Sequence, residues 1–393
     1  PGSNAKGRRT DGENLLAYLR SQDYAVVRNR EELNGLGADR RKVWGMFAEN
    51  HMVHDIDKET FASTEPSLAE MTASAIEILS RDPDGFFLMV EGSQVDWSSH
   101  DNDPVGTVTD YLAFDRAVQV AMDFARSPEG RRTLVLVFPD HDNGGMSLGR
   151  RHVKYDTFTP AKMSRTIAGA KLTAAGVERL LRKAVDRFNP DRRVIRRIVG
   201  RHFGVEDLSD NEMDLLVAEF ADTLERTDSG EVELDSLGQP VVDTTNIDLG
   251  ELLGPIVSRR AGIAWATYGH TGHDVPMFSH GLDNPPRTID NTEIAHLCAR
   301  SMGFELDKLT ESLMADAVEV FGTAEITVDT AGVESGRGRL IVREGEREVS
   351  LPFFKNIAVR ETDTAALQGL TLYSLKAHRA FVPKSAGTLL QSR

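Results

Sequence analysis

One cysteine, Cys298, stands among 393 residues. An intrachain disulfide is therefore excluded, and thiol pairing reports nothing about the compartment. The flanking run Ile294-Ala295-His296-Leu297-Cys298-Ala299 reads as a helix in which a small apolar side chain packs. No apolar run is long enough to span a membrane, and no stretch has the layout of a signal peptide. P-loop spacing, internal repeats and low-complexity tracts are also missing. Positive charge is in deficit, with 46 Lys+Arg against 61 Asp+Glu and a net charge of −15. That argues against a nucleic-acid groove built on general electrostatics. It leaves room for an anionic substrate, because bound metal ions can dominate the charge inside a site.

The composition, 40% hydrophobic and 27% charged, is that of a globular protein, and the length allows two or three domains. Helical periodicity is expected after Asp11 through Leu15, Leu16 and Leu19, over Pro66–Leu79 and over Val108–Ala125. Tyr24–Val27 and Val43–Phe47 read as strands. The alternation of helix, turn and strand predicts an α/β fold with a mostly parallel central sheet flanked by helices. The rhythm breaks after Arg150, where charge-rich helical segments at Ala174–Arg187, Arg192–His202 and Asn211–Arg226 read as an insertion. The expected division is 1–150 as α/β core, 151–261 as a mainly helical insertion, 262–305 as the return of the core, and 306–393 as a β-rich appendage. In that last stretch Glu325–Val328, Arg339–Val342, Leu370–Tyr373 and Arg379–Val382 alternate like half-exposed strands.

Three strand-like runs each end in residues that bind metals. Phe86–Val90 is followed by Glu91, Asp96 and His100; Leu134–Phe138 by Asp140 and His141; Ile263–Thr267 by His270. Open α/β sheets bind ligands at the carboxyl ends of their strands, so one polynuclear metal site is expected there. Asp96 and His100 are four apart, and one helical turn would place both on one face. A carboxylate oxygen with an imidazole nitrogen suits Zn²⁺, and a carboxylate such as Glu91 suits Mg²⁺. Singly, each such residue is more often a cap or turn former than a ligand; the conjunction on one sheet edge is what points to a hydrolase. His51 and His54 read as surface or packing residues, His152 as a weak outer candidate, and His273 and His280 as hydrogen-bonding neighbours of His270. Asp228-Ser229-Gly230 reads as a turn.

Three segments carry a resemblance: FFLMVEGSQVDWSSHDND at 86–103, TLVLVFPDHDNGGMS at 133–147 and YGHTGHDVPMFSHG at 268–281. They resemble the metal-binding blocks of the alkaline phosphatases, the bacterial two-zinc, one-magnesium type of phosphomonoesterase. The likeness covers roughly 10–150 and 260–305, including Glu65–Met71. Carried over by position, it implies that Asp96, His100 and His270 bind one Zn²⁺, Asp140 and His141 a second, and Glu91 a Mg²⁺. It places Trp97 beside the phosphate and puts His273 where a Glu is often found.

The resemblance also implies a phosphoserine intermediate. No Asp-Ser-Ala sequence occurs in the 393 residues, so the nucleophile is expected in a missing N-terminal segment and the chain as given is expected to be inactive. Phosphomonoesters and inorganic phosphate are the implied partners, with a possible homodimer, no specific nucleic-acid ligand, and a periplasmic or extracellular location. Two alternatives stand beside this reading: a sulfatase or phosphodiesterase of the same superfamily, and a non-catalytic metal-binding remnant.

Overall fold

A computed structural model describes residues 13–151, 153–154, 159–184, 190–221, 233–234, 240–241, 249–281, 288–331, 337–361 and 363–390. The chain divides into two compact units, Pro1–Leu282 and Asp283–Arg393. His152, Asp228-Ser229-Gly230 and the expected cap Asp11 lie outside the described residues.

The first unit opens with α1 (Leu15–Ser21), capped by Asn14, whose side chain accepts from the Ala17 N–H at 3.1 Å. β1 (Ala25–Val27) and β2 (Val43–Gly45) pair in parallel. α2 (Leu68–Leu79) begins at a capping box: the Ser67 hydroxyl accepts from the Glu70 N–H, and the Glu70 carboxylate accepts from the Ser67 N–H. Both orphan donors of the helix start are thereby satisfied. α3 (Gln94–His100) carries Asp96 and His100. α4 (Pro104–Arg126) starts earlier than its apolar periodicity suggests, because Asp103 caps it and Pro104 takes the first turn.

β3 (Val135–Val137) and β4 (Asp142–Asn143) follow. Four helices come next, α5 (Pro160–Ala168), α6 (Ala174–Ala184), α7 (Arg192–Phe203) and α8 (Asp210–Ala221), and a fifth, α9 (Leu249–Ala261), succeeds them. Leu172, Val177, Leu181, Ile195, Val199, Phe203, Met213, Leu216, Leu249 and Leu253 are all fully buried in one core. The i, i+4, i+8 spacing of Ile195, Val199 and Phe203 puts one face of α7 into that core.

Buried carboxylates tie this helical pack to α4. Asp103 accepts from the Val105 N–H at 2.8 Å and from the Ala174 N–H at 2.8 Å, so one side chain serves the starts of both α4 and α6. Asp57 accepts from the Thr173 N–H and hydroxyl. Gly254 of α9 lies against the backbone of Asp101 and Asn102, where an added Cβ would stand 2.3 Å from the Asp101 carbonyl. Only glycine permits that approach just after the end of α3.

β5 (His270–Thr271) and β6 (Phe278–His280) complete the strands of this unit used below. β3 pairs with β6 and β4 with β5, both antiparallel. The fold is thus of helices with several small sheets, and among the described residues of this unit the parallel pairing is β1 with β2. Two expected strands differ. Phe86–Val90 forms no ladder among the described residues; its side chains alternate, with Phe87 and Met89 pointing outward at 61% and 73% exposure. Alternation favours an extended chain, but a strand also needs a partner for its backbone groups. Ile263–Thr267 reduces to a single bridge between Ala264 and Ser147 before the chain turns.

The second unit holds α10 (Thr292–Ser301) and, after β7 (Met314–Asp316), an antiparallel meander. Its strands run in sequence order: β8 (Glu325–Asp329), β9 (Arg339–Glu344), β10 (Arg347–Pro352), β11 (Ile357–Arg360) and β12 (Asp363–Ala366). The β9–β10 hairpin closes Glu344 onto Arg347 through two residues, with Gly345 at φ +64°; tight hairpins select such backbone. β13 (Leu372–Ser374) and β14 (Arg379–Pro383) join β7 in a three-stranded sheet. Alternate residues Leu340, Val342, Val349 and Leu351 enter one core with Phe353 and Val382.

Candidate metal centre

The Asp140–Gly145 run and the Gly269–Thr271 run meet through the short β4–β5 pair, with Asn143 opposite His270 and Asp142 opposite Thr271. The Gly144 N–H donates to the Gly269 carbonyl at 2.9 Å, and the Ala266 N–H donates to the Gly144 carbonyl at 2.8 Å. Gly144 has φ +72°, and an added Cβ would sit 2.6 Å from the Trp265 ring and 3.0 Å from the Ser99 carbonyl. The turn that brings these segments together therefore requires glycine on both counts.

That pairing gathers three donors. Atoms of Asp96, His141 and His270 lie within 4.8 Å of one another. The His141 and His270 rings stack at 3.5 Å. His100 stands at the margin, with its Nε2 3.5 Å from Asp96 Oδ2 and its ring 5.4 Å from that of His270. The His100 Nδ1 lies 2.5 Å from the Tyr268 carbonyl, which can only accept. Nδ1 therefore donates to it, and Nε2 is the ring nitrogen turned towards Asp96. Burial, reinforced by the charge of Glu251, pushes the Tyr268 hydroxyl up to about 12 against a hydrogen bond with Asn102, so it stays neutral.

Not every expected residue joins. Asp140 is largely exposed and contacts His141, its Oδ2 3.2 Å from Nε2. Glu91 is exposed and is not one of the three convergent donors. Trp97 is half-exposed and stacks obliquely on His51, ring centroids 4.4 Å apart. His273 is exposed on the chain after β5, and its N–H reaches the Thr271 hydroxyl at 3.4 Å. His280 lies in β6 opposite Val135.

Several supporting residues escaped sequence reasoning. Asn143 donates from Nδ2 to both the Asp96 carbonyl and its Oδ1, locking the carboxylate in place. Thr271 donates to Asp142. Their signal was the unbroken polar run Asp140-His141-Asp142-Asn143 ahead of a Gly pair. His54, read as surface or packing, is buried. Its Nδ1 lies 2.7 Å from Asp110 Oδ2, and the Ser98 hydroxyl is 3.2 Å from each. Burial alone would hold the His54 imidazole down, but the hydrogen bond and charge of Asp110 prevail and raise it. Ser98 sits between Asp96 and His100 on α3, so this buried pair anchors the helix that carries both.

The donor set fits a metal ion. One carboxylate and two imidazoles suit a borderline cation such as zinc. The His141 Nδ1 is buried and has no hydrogen-bond partner among the described residues. A buried nitrogen left without a partner is costly, and a cation would satisfy it.

The model of the alkaline phosphatase family matches residues 1–303. Alkaline phosphatase 3 of Bacillus subtilis is 31% identical over 304 residues, which cover 75% of this chain and 55% of that protein. The crystal structure of Thermus thermophilus alkaline phosphatase superposes with a TM-score of 0.56 at 25% identity, covering 70% of this chain and 54% of the other. A cold-active alkaline phosphatase from a psychrophilic Shewanella sp. shares the fold, with a TM-score of 0.53 at 24% identity and coverages of 70% and 58%. The chain spans about half the length of the curated relatives it matches.

Proposed function

The chain belongs to the alkaline phosphatase family, and from that premise we propose that it supplies the metal cage of a phosphate monoester hydrolase. The convergence of Asp96, His141 and His270 carries this reading. In it, His100 completes the ligands of one Zn²⁺ with Asp96 and His270, Asp140 joins His141 at a second, and Glu91 serves a Mg²⁺. Trp97 borders the phosphate. Bound metal supplies Lewis acidity to the phosphoryl oxygens and to the attacking group.

The residues of the chain do the positioning. Asn143 fixes the Asp96 carboxylate. The Tyr268 carbonyl sets the tautomer of His100. Stacking aligns His141 with His270. This reading takes hydrolysis through a phosphorylated serine, which this cage would serve. The same reading keeps 151–261 as a helical insertion into a core with a mostly parallel central sheet. Export and a homodimer belong to it on family grounds. Among the described residues no helix is long and apolar enough to cross a membrane.

Calorimetric titration of the metal-free chain with zinc tests the cage. Asp96→Asn, His141→Ala and His270→Ala should each weaken zinc binding about tenfold or more, and inorganic phosphate should bind only after zinc. Wild-type zinc affinity in all three variants would sink the assignment. Phosphate binding without metal would detach the site from phosphoryl chemistry.

A further inference from the structure

The chain is acidic, at −15, yet α7 carries five arginines and no acid: Arg192, Arg193, Arg196, Arg197 and Arg201. All five are exposed, while Ile195, Val199 and Phe203 bury the opposite face. An open groove of about 530 Å³ runs over this face, with Gly200 presenting no side chain and Glu206 as the one acid among its described lining residues. Arg192 pairs with Asp214 at 2.6 Å and Arg193 with the cap Asp191 at 3.1 Å. Arg196 donates to the Leu208 carbonyl at 2.8 Å. Among the described residues neither Arg197 nor Arg201 has a carboxylate partner.

This pattern is poor for helix stability. Two arginines occupy the first turn, where the helix dipole disfavours cations. Arg193, Arg197 and Arg201 repeat at i, i+4, i+8, the spacing at which like charges repel. A merely solvated face would mix signs. The imidazole of His202 next to the row is held down, first by burial and then by Arg201 and Lys171.

We propose that this groove binds linear inorganic polyphosphate. Successive arginines of the row rise about 6 Å per step along the helix, and each guanidinium fork can take two phosphate oxygens of one chain. Among the described residues no aromatic side chain lines the groove, which disfavours the base stacking that single-stranded nucleic acid relies on. The apolar face of α7 is committed to the core, which leaves nothing to insert into a lipid surface. The groove shares no residue with the candidate metal centre and does not depend on the function proposed for it.

Fluorescence anisotropy with end-labelled polyphosphate of defined length, on the full chain in chelator, tests the site. Single-stranded DNA of equal charge, anionic phosphatidylserine vesicles and inorganic phosphate are the comparators. Arg197→Ala combined with Arg201→Ala should weaken polyphosphate binding about tenfold and flatten its salt dependence by about two in logarithmic slope. Both side chains are exposed, and unchanged circular dichroism would confirm the fold. Glu206→Gln should tighten binding, and Asp96→Asn should leave it unchanged. Equal affinity in the double arginine variant, weaker binding by Glu206→Gln, or stronger binding of DNA or vesicles than of polyphosphate would overturn the proposal.

Discussion

The candidate metal centre and the helical pack of the same unit are held in opposite ways. The helices α5 to α9 close over a core in which ten large side chains are fully buried, so their order follows from apolar area removed from water. The candidate ligands stand on half-exposed segments, fixed by a two-residue ladder, a glycine turn and a few polar contacts. Stability is thus concentrated away from the chemistry. Polar donors that must face a metal cannot also pack as a core, so the buried anchor His54–Asp110 does that work from behind α3.

Three experiments would break or sharpen this contrast. The largest effect is expected in the helical pack. Phe203→Ala, at a fully buried position, should cost about 3–5 kcal/mol in denaturant unfolding while zinc affinity in the surviving folded fraction stays unchanged. A loss of zinc binding there would show that the two regions are not separable.

Next comes the anchor. Asp110→Ala removes the buried partner of His54 and leaves the Asp55 N–H and the Ser98 hydroxyl without their acceptor. About 3 kcal/mol of stability should go. Zinc affinity should fall with it, because α3 loses its hold. If urea melts show the loss and zinc titration does not, α3 is positioned by something else.

The smallest effect is in pH dependence, where a carboxylate within the helical pack and the one that joins it to α4 should titrate in opposite senses. Glu212 in the helical pack is held down to about 2: burial opposes this, but hydrogen bonds from Arg260, the Ser209 N–H and Arg259 prevail. Its folded value lies below the unfolded one, so its contribution is present above about pH 4.5 and is lost as pH falls towards 2. Asp103, which joins α4 to α6, is pushed up to about 6 by burial, against hydrogen bonds from the N–H groups of Ala174 and Val105. Its folded value lies above the unfolded one, so its contribution is full below about pH 4 and is lost as pH rises through 6. Unfolding free energy measured against pH should flatten on the acid side in Glu212→Gln and between pH 4 and 6 in Asp103→Asn. The same change in both variants would erase the contrast.

Much of this was legible in the residues. Apolar spacing marked α1, α2 and α4, and alternation marked β8, β9 and β14, because burial of one face imposes a period that a short window reveals. The Asp96-to-His100 spacing gave one helical face, and α3 is there. What a window cannot show is a partner. Phe86–Val90 has the pattern of a strand yet pairs with nothing among the described residues. His54 read as a surface or packing residue, and only Asp110, 56 residues later, shows it as one half of a buried pair.

By itself the amino-acid sequence determined the family, the candidate donor residues and the periodic elements, since those rest on residue chemistry and local geometry. The tertiary structure alone decided which candidates converge. Asp96, His141 and His270 meet because β4 pairs with β5 across more than a hundred residues of chain, while Glu91 and Asp140 remain at the surface. Long-range pairing of that kind depends on loop closure and packing against the rest of the fold, and neither is written in any one segment.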